Sequence, residues 1–336
     1  MKKAYIITGL LFIYIGVVIP KTGNNLIRVD FSKLGFSSNY PSQIIATIEE
    51  LLGKCSTSQL RGKCQPLGIV VPYASLIYTS GVISSVYALL EPDKYNLVVL
   101  FATNSDTIQN KAILPSATSF RTPLGFLPIN REFTQLLIRQ YPHLFDTSYS
   151  HFVNSVPIES QLPFIQYLCG SMAILPVLLP QHNSVVSKKV GRAVASVLKN
   201  QHPLYISSMQ LGSAIPYADA LNLFQKTENA ITEFKIEEFE NDISFTGMGT
   251  LLALFSSIAG EGQVRGKVVK YLNSGDIDGN RERVSGFISG VLYLGTYPQK
   301  KKTTINYQDK EAIKDYAIYA LKKAVDSTYS AQLHLD

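Results

Sequence analysis

The chain has 336 residues, 46% hydrophobic and 17% charged, which supplies one sizeable core and excludes a disordered polymer. Its formal net charge is +6, but the basic residues are scattered and the only basic run is Lys300, Lys301, Lys302, so no nucleic-acid-binding stripe is present. Three cysteines without a Cys-x-x-Cys pair give no support to a thiolate zinc site.

Lys2 and Lys3 precede an uninterrupted apolar segment, Ala4 to Ile19, closed by Pro20. As a helix rising ~1.5 Å per residue this segment spans about 24 Å, short of a ~30 Å hydrocarbon core. That length suits a signal-peptide core or a short anchor. No small residues stand at cleavage spacing near Val17 to Gly23, which favours an uncleaved signal anchor over residues 1–22. The short basic end then stays in the cytoplasm, and the domain lies on the extracytoplasmic side of the membrane.

Gly23 to Phe36 reads as a polar linker into a domain spanning 30–296. Pro41 opens a helix whose Ile44, Ile45, Ile48, Leu51 and Leu52 form one face, and Gly53 ends it. Cys55 and Cys64 bracket a short polar loop; they pair in an oxidising compartment or are two unrelated thiols. Cys169, in an apolar stretch, reads as core.

Continuous apolar runs at Leu67 to Val71, Leu97 to Phe101, Ile174 to Leu179 and Leu204 to Ser207 predict buried strands. Helical patterns separate most of them: Val82, Ile83, Val86, Leu89, Leu90; then Phe133, Leu136, Leu137; then Val186, Val190, Val194, Val197. Lys267 to Leu272 and Val284 to Leu294 read as strands joined by turn chemistry at Ser274-Gly275-Asp276 and Asp278-Gly279-Asn280. The fold class is therefore α/β: a doubly wound, mostly parallel sheet with helices on both faces and an antiparallel C-terminal hairpin. Residues 297–336 form a basic linker and a helix, Asp309 to Tyr329, with acidic residues at its start and Lys322 and Lys323 near its end.

Eight segments, in order, resemble the Memo family (AmmeMemoRadiSam system protein B), relatives of the class III extradiol dioxygenases. They are FSSNYPSQIIATIEELL from Phe36, VPYASLIYTS from Val71, LVVLFATNSD from Leu97, RTPLG from Arg121, PIESQLPFIQYL from Pro157, YISSMQLG from Tyr205, FTGMGTLLALF from Phe245 and the closing hairpin from Val268. ILPVLL from Ile174 matches a further strand. The resemblance implies an extradiol dioxygenase-like fold and, in the family, a metal held by His, His and Cys. Here the first His position is Tyr73, the second falls at Ser105 or Asp106, and the Cys is Thr246. The family's Asp is Met209, and the His after it is about Gly212, whereas Glu159, Pro163 and Arg121 are retained.

In a doubly wound sheet the strand ends bring Tyr73, Thr103 to Asp106 and Ser207 to Gln210 around one crevice, with Thr246 added by the resemblance. We expect a vestigial cleft of Tyr73, Ser105, Asp106, Glu159, Ser208 and Thr246, with no catalytic residue, no metal and no cofactor. A catalytic iron or zinc needs about three N, O⁻ or S⁻ ligands, and a tyrosine with a pKa near ~10 is a poor substitute. A displaced cluster of His151, His182 and Glu159 is the alternative donor set.

Glu159 with Pro163 fixes the loop entering the helix Phe164 to Leu168, or lines the crevice. Arg121 reads as a structural ion pair, with anion binding as the second reading. Asp276, Asp278 and Asn280 open like a calcium loop, but position six is Arg281, so a turn explains them. Gly247-Met248-Gly249 lacks the third glycine of a dinucleotide fingerprint. The expected function is a membrane-anchored Memo-like module that binds an unknown protein or small-molecule ligand, with no nucleic acid. The competing expectation is an enzyme, either iron-dependent with rebuilt ligands or a metal-free hydrolase using Asp106, Tyr73 or Glu159.

Overall fold

A computed structural model describes residues 26–55, 65–104, 110–181, 183–235 and 247–295. The segment Ala4 to Ile19, the disulfide candidate Cys64, the site candidates Ser105, Asp106 and Thr246, His182 and the tail beyond Gly295 lie outside them.

Four parallel strands form the centre of a nine-stranded sheet: β2 (Pro66–Pro72), β9 (Pro203–Met209), β3 (Leu97–Asn104) and β8 (Ile174–Pro180), side by side in that order. Each grew from a run of apolar residues with no polar alternation, and such a strand is stable only when both faces are covered. Beyond β2 the sheet turns antiparallel: β12 (Val284–Leu294) pairs with β2, with β10 (Leu211–Ile215) and, along its whole other side, with β11 (Val264–Asn273). Beyond β8, β4 (Ala112–Pro115) joins antiparallel, and β7 (Phe145–Ser148) lies parallel to β4.

One face carries α6 (Ser184–Val197), α7 (Tyr217–Glu233) and between them α8 (Met248–Ile258), every residue of which is buried. Asn183 caps α6 by accepting the Val186 N–H at 3.0 Å, satisfying one of the free donors of its first turn. The backbones of α6 and α8 nearly touch: a Cβ on Gly191 would lie 2.2 Å from the carbonyl oxygen of Ala253. The other face carries α1 (Pro41–Gly53), α2 (Leu76–Tyr87), the short α4 (Val156–Glu159) and α5 (Leu162–Cys169). α2 begins at Leu76, six residues before Val82, where its apolar pattern starts, because the turn after β2 runs straight into it. Its Ser85 hydroxyl lies 2.9 Å from that of Ser289 on β12, joining helix to sheet.

Residues 26–36 are not a linker. Leu26–Arg28 is a strand, β1, parallel to β5 (Ser119–Thr122), which pairs antiparallel with β6 (Gly125–Pro128) in a separate three-stranded sheet. Ile27, Phe31, Leu34 and Phe36 are buried, and the Phe31 and Phe36 rings pack tilted with centroids 5.7 Å apart, so this stretch belongs to the core. β6 leads into α3 (Arg131–Gln140), whose cap Asn130 accepts the Phe133 N–H at 3.0 Å.

The loop between β11 and β12 carries a single helical turn, Gly275–Asp278, in place of the expected simple hairpin turn. Asp276 accepts from the Tyr217 hydroxyl at 2.8 Å, and Asp278 from the Asn280 N–H at 2.9 Å.

Candidate functional site at the strand ends

β2 stops at Pro72, and Tyr73 follows at the carboxyl end of the sheet, the usual ligand position in such folds. Its ring is half-buried, with the Thr103 side chain of β3 near enough to favour the phenolate slightly. Burial raises the phenol pKa, so the group stays protonated at neutral pH.

In register beside β2, Val71 faces Ser208 and Pro72 faces Met209 on β9. Ser208 is fully buried and already engaged: it donates to the carbonyl of Pro157 at 2.6 Å and accepts from Gln161 Nε2 at 3.2 Å. Gln161, also fully buried, gives its amide hydrogens to Pro72 O at 2.9 Å and Ser160 Oγ at 3.1 Å as well. Its Oε1 accepts from the Tyr87 hydroxyl at 3.1 Å. One side chain thus ties the end of β2, β9, α2 and the α4–α5 junction together. The sequence singled out Ser208 as lining a cleft and missed Gln161. The available signal was a polar triplet, Glu159-Ser160-Gln161, set between apolar residues.

Met209, at the family's Asp position, is buried in the apolar core. Gly247 backs onto it with φ of 147°, and a Cβ there would lie 2.7 Å from the Met209 Cβ, so only glycine fits. Below, Ser207 donates to Thr250 Oγ1 at 2.8 Å, and Thr250 donates to the Gly247 carbonyl at 2.7 Å.

Glu159 ends α4 and is 3% exposed, yet its Oε1 has no hydrogen-bond partner among the described residues. Burial pushes its pKa up to about 7, against the backbone N–H of Asn154 and the charge of Lys33, which favour the carboxylate, and alongside Asp30, which disfavours it. Asn154 adopts the left-handed backbone (φ 59°), and its Oδ1 accepts from Lys33 Nζ at 3.3 Å.

The hydroxyls and the amide at the strand ends are neutral donors bonded to one another. They do not fit the metal that the family resemblance implies, which requires imidazole, thiolate or carboxylate ligands. Among the described residues no three His, Cys, Asp or Glu side chains are placed to hold a metal ion. His151 bonds through Nδ1 to Ser148 Oγ at 2.7 Å. Cys55 carries a free thiol directed at Ser84 Oγ (3.2 Å) and Leu51 O (3.4 Å), and burial pushes the Cys169 thiol up to about 11.

Arg121 forms no ion pair among the described residues, contrary to expectation; it is exposed, with its guanidinium 5.8 Å from the Phe126 ring centroid. Near it, a groove of ≈ 450 Å³ between α1, the β5–β6 turn and α5 is lined by Pro41, Ile45, Leu124, Phe126 and Tyr167.

The family model for Memo-like proteins matches residues 36–291, from the aromatic turn before α1 to near the end of β12. The chain belongs to the Memo-like protein family. A MEMO1 family protein of Methanopyrus kandleri is 28% identical over 243 residues, 70% of this chain and 86% of its own. One from Aquifex aeolicus is 28% identical over 239 residues, covering 69% and 87%. An uncharacterized Escherichia coli K12 protein of known structure aligns with TM-score 0.40 and 12% identity over 66% of this chain and 98% of its own. Family membership accounts for the order of the elements; the side chains at the strand ends have to be read one by one.

Proposed function

We propose that this member of the family is a membrane-anchored module that binds a ligand or partner without redox catalysis. The observation that carries the reading is Tyr73: a half-buried, protonated phenol occupies the position that aligns with the family's first metal-ligand His. The buried Ser208, Gln161 and Met209 around it supply no second or third ligand. In the sequence, Ala4 to Ile19 supports an anchor that keeps the domain on the extracytoplasmic side. Among the described residues no helix is long and apolar enough to cross a membrane.

The test is metal analysis of the full chain purified without chelators. Sub-stoichiometric iron, zinc and copper agree with the reading. Stoichiometric metal that is lost on changing His151 or His182 to Ala overturns it. Resistance of the full chain to alkaline extraction from membranes checks the anchor separately.

One observation favours a second reading, a metal-free acid–base enzyme. A buried carboxyl with a pKa of about 7 and an open oxygen is poised to exchange a proton at neutral pH. Hydrolysis of ester or amide substrates that Glu159→Gln abolishes while leaving the melting temperature at pH 5 unchanged would establish it.

A further inference from the structure

The three-stranded sheet has one buried face; on the other, the row Leu26, Ser119 and Pro128 is half-buried to buried and one row is open. Ile27, Phe120 and Leu127 lie in register across β1, β5 and β6 and are all fully buried. The next row across the same strands is Arg28, Arg121 and Phe126, and all three are exposed, Phe126 to 49%. The row runs Arg28, Arg121, Phe126, an apolar ring at one end with two cations beside it that can extend past it, which is the chemistry of side chains at a bilayer surface. Tyr149, 41% exposed, stands beside this row with its hydroxyl donating to the Leu26 carbonyl at 2.9 Å, and Ile45 continues the apolar strip across the groove to Phe126. The three strands contain no Asp or Glu. The nearest acid in sequence, Asp30, is held by Ser32 (2.7 Å) and Asn39 (2.6 Å).

The chain outside this sheet says what lies against it. Leu26 is fixed by pairing with Ser119, and the apolar segment ends at Ile19, seven peptide steps earlier. Fully extended, seven steps reach at most about 25 Å. A bilayer holding Ala4 to Ile19 therefore keeps β1 within that distance of its surface, whatever the rest of the domain does.

We propose that the face of this sheet carrying the open row docks on the membrane, with Arg28 and Arg121 taking anionic lipid phosphates and Phe126 and Tyr149 lying at headgroup level. The proposal rests on the anchor reading above and adds an orientation to it: the domain lies on its small sheet.

The test uses the full chain reconstituted into vesicles of equimolar phosphatidylglycerol and phosphatidylcholine, with a photo-crosslinking phenylalanine analogue at position 126 or, as a control on α7, at position 221. Docking gives lipid adducts at 126 on the order of tenfold above those at 221, and the double variant Arg28→Gln, Arg121→Gln reduces them by a similar factor without releasing the chain from the vesicles. Vesicle-bound chain with equal adduct at both positions overturns the orientation and leaves the anchor standing. Adducts from 126 into a second copy of the chain also overturn it, in favour of a self-interface. Chain that does not float with the vesicles removes the anchor and the proposal together.

Discussion

On one face of the sheet α8 is buried along its whole length and held mainly by close packing, with Gly191 letting its backbone come against that of α6 and Thr250 and Ser257 bonding across to β9 and α6. On the other face, α4 and α5 are held to the strand ends by a chain of hydrogen bonds through Gln161 and Ser208, beside a carboxyl with an open oxygen. The first arrangement tolerates changes of polarity poorly and changes of volume worse. The second depends on which atoms donate and which accept, so isosteric changes should be felt there. The two faces are stabilised by different terms, so substitutions on one need not disturb the other.

Four measurements break or sharpen this contrast. The largest effect should come from Phe255→Ala on α8, where a fully buried ring packed 4.8 Å from Phe234 is removed: about 4 kcal/mol of stability lost by denaturant titration. A loss below about 1 kcal/mol would mean the α8 face is loosely packed.

Next is the pH dependence set by Glu159. Its folded pKa is above its unfolded one, so the folded state holds the proton longer. Stability is therefore fully present below pH 4.5 and falls as the unfolded chain ionises, until the folded group also ionises near pH 7. The span corresponds to about 3 kcal/mol, and Glu159→Gln should flatten that part of the profile. A profile that Glu159→Gln leaves unchanged places the carboxyl in water.

Gln161→Leu keeps the volume but strands the Tyr87 hydroxyl and the Pro72 carbonyl, at a cost of about 2 kcal/mol. Equal stability of this variant and the parent would show that the strand-end network is dispensable. The smallest change is Tyr73→Phe, which removes one half-buried hydroxyl, costs about 1 kcal/mol or less and should leave metal content where it was. A fall in bound metal on that substitution contradicts the reading of Tyr73 as a non-ligand.

Much of the scaffold was legible in the sequence for identifiable reasons. β2, β3, β8 and β9 are apolar runs of strand length, and β12 follows turn residues, so composition and punctuation agreed. β1 was not legible: three residues, Leu-Ile-Arg, become a strand only because β5 offers a partner 93 positions later. The short strands β4 to β7 are four residues each, too brief for a period to register. α8 is apolar on every side, so no amphipathic stripe marks it as a helix, and only the family resemblance suggested one. At the site, Tyr73 was placed correctly at the end of β2, since a strand followed by a turn fixes position. The burial of Ser208 and the role of Gln161 were hidden, because both depend on the α4–α5 segment folding back over strands distant in sequence.

The place of β12 in the sheet has a consequence for how the chain matures. This last strand lies between β2, one of the earliest, and β11, so β2 keeps an open edge of hydrogen-bonding groups until residues 290–293 arrive. Translation has to pass Leu294 before that edge is closed, and a chain halted in the preceding turn presents a bare template to its neighbours.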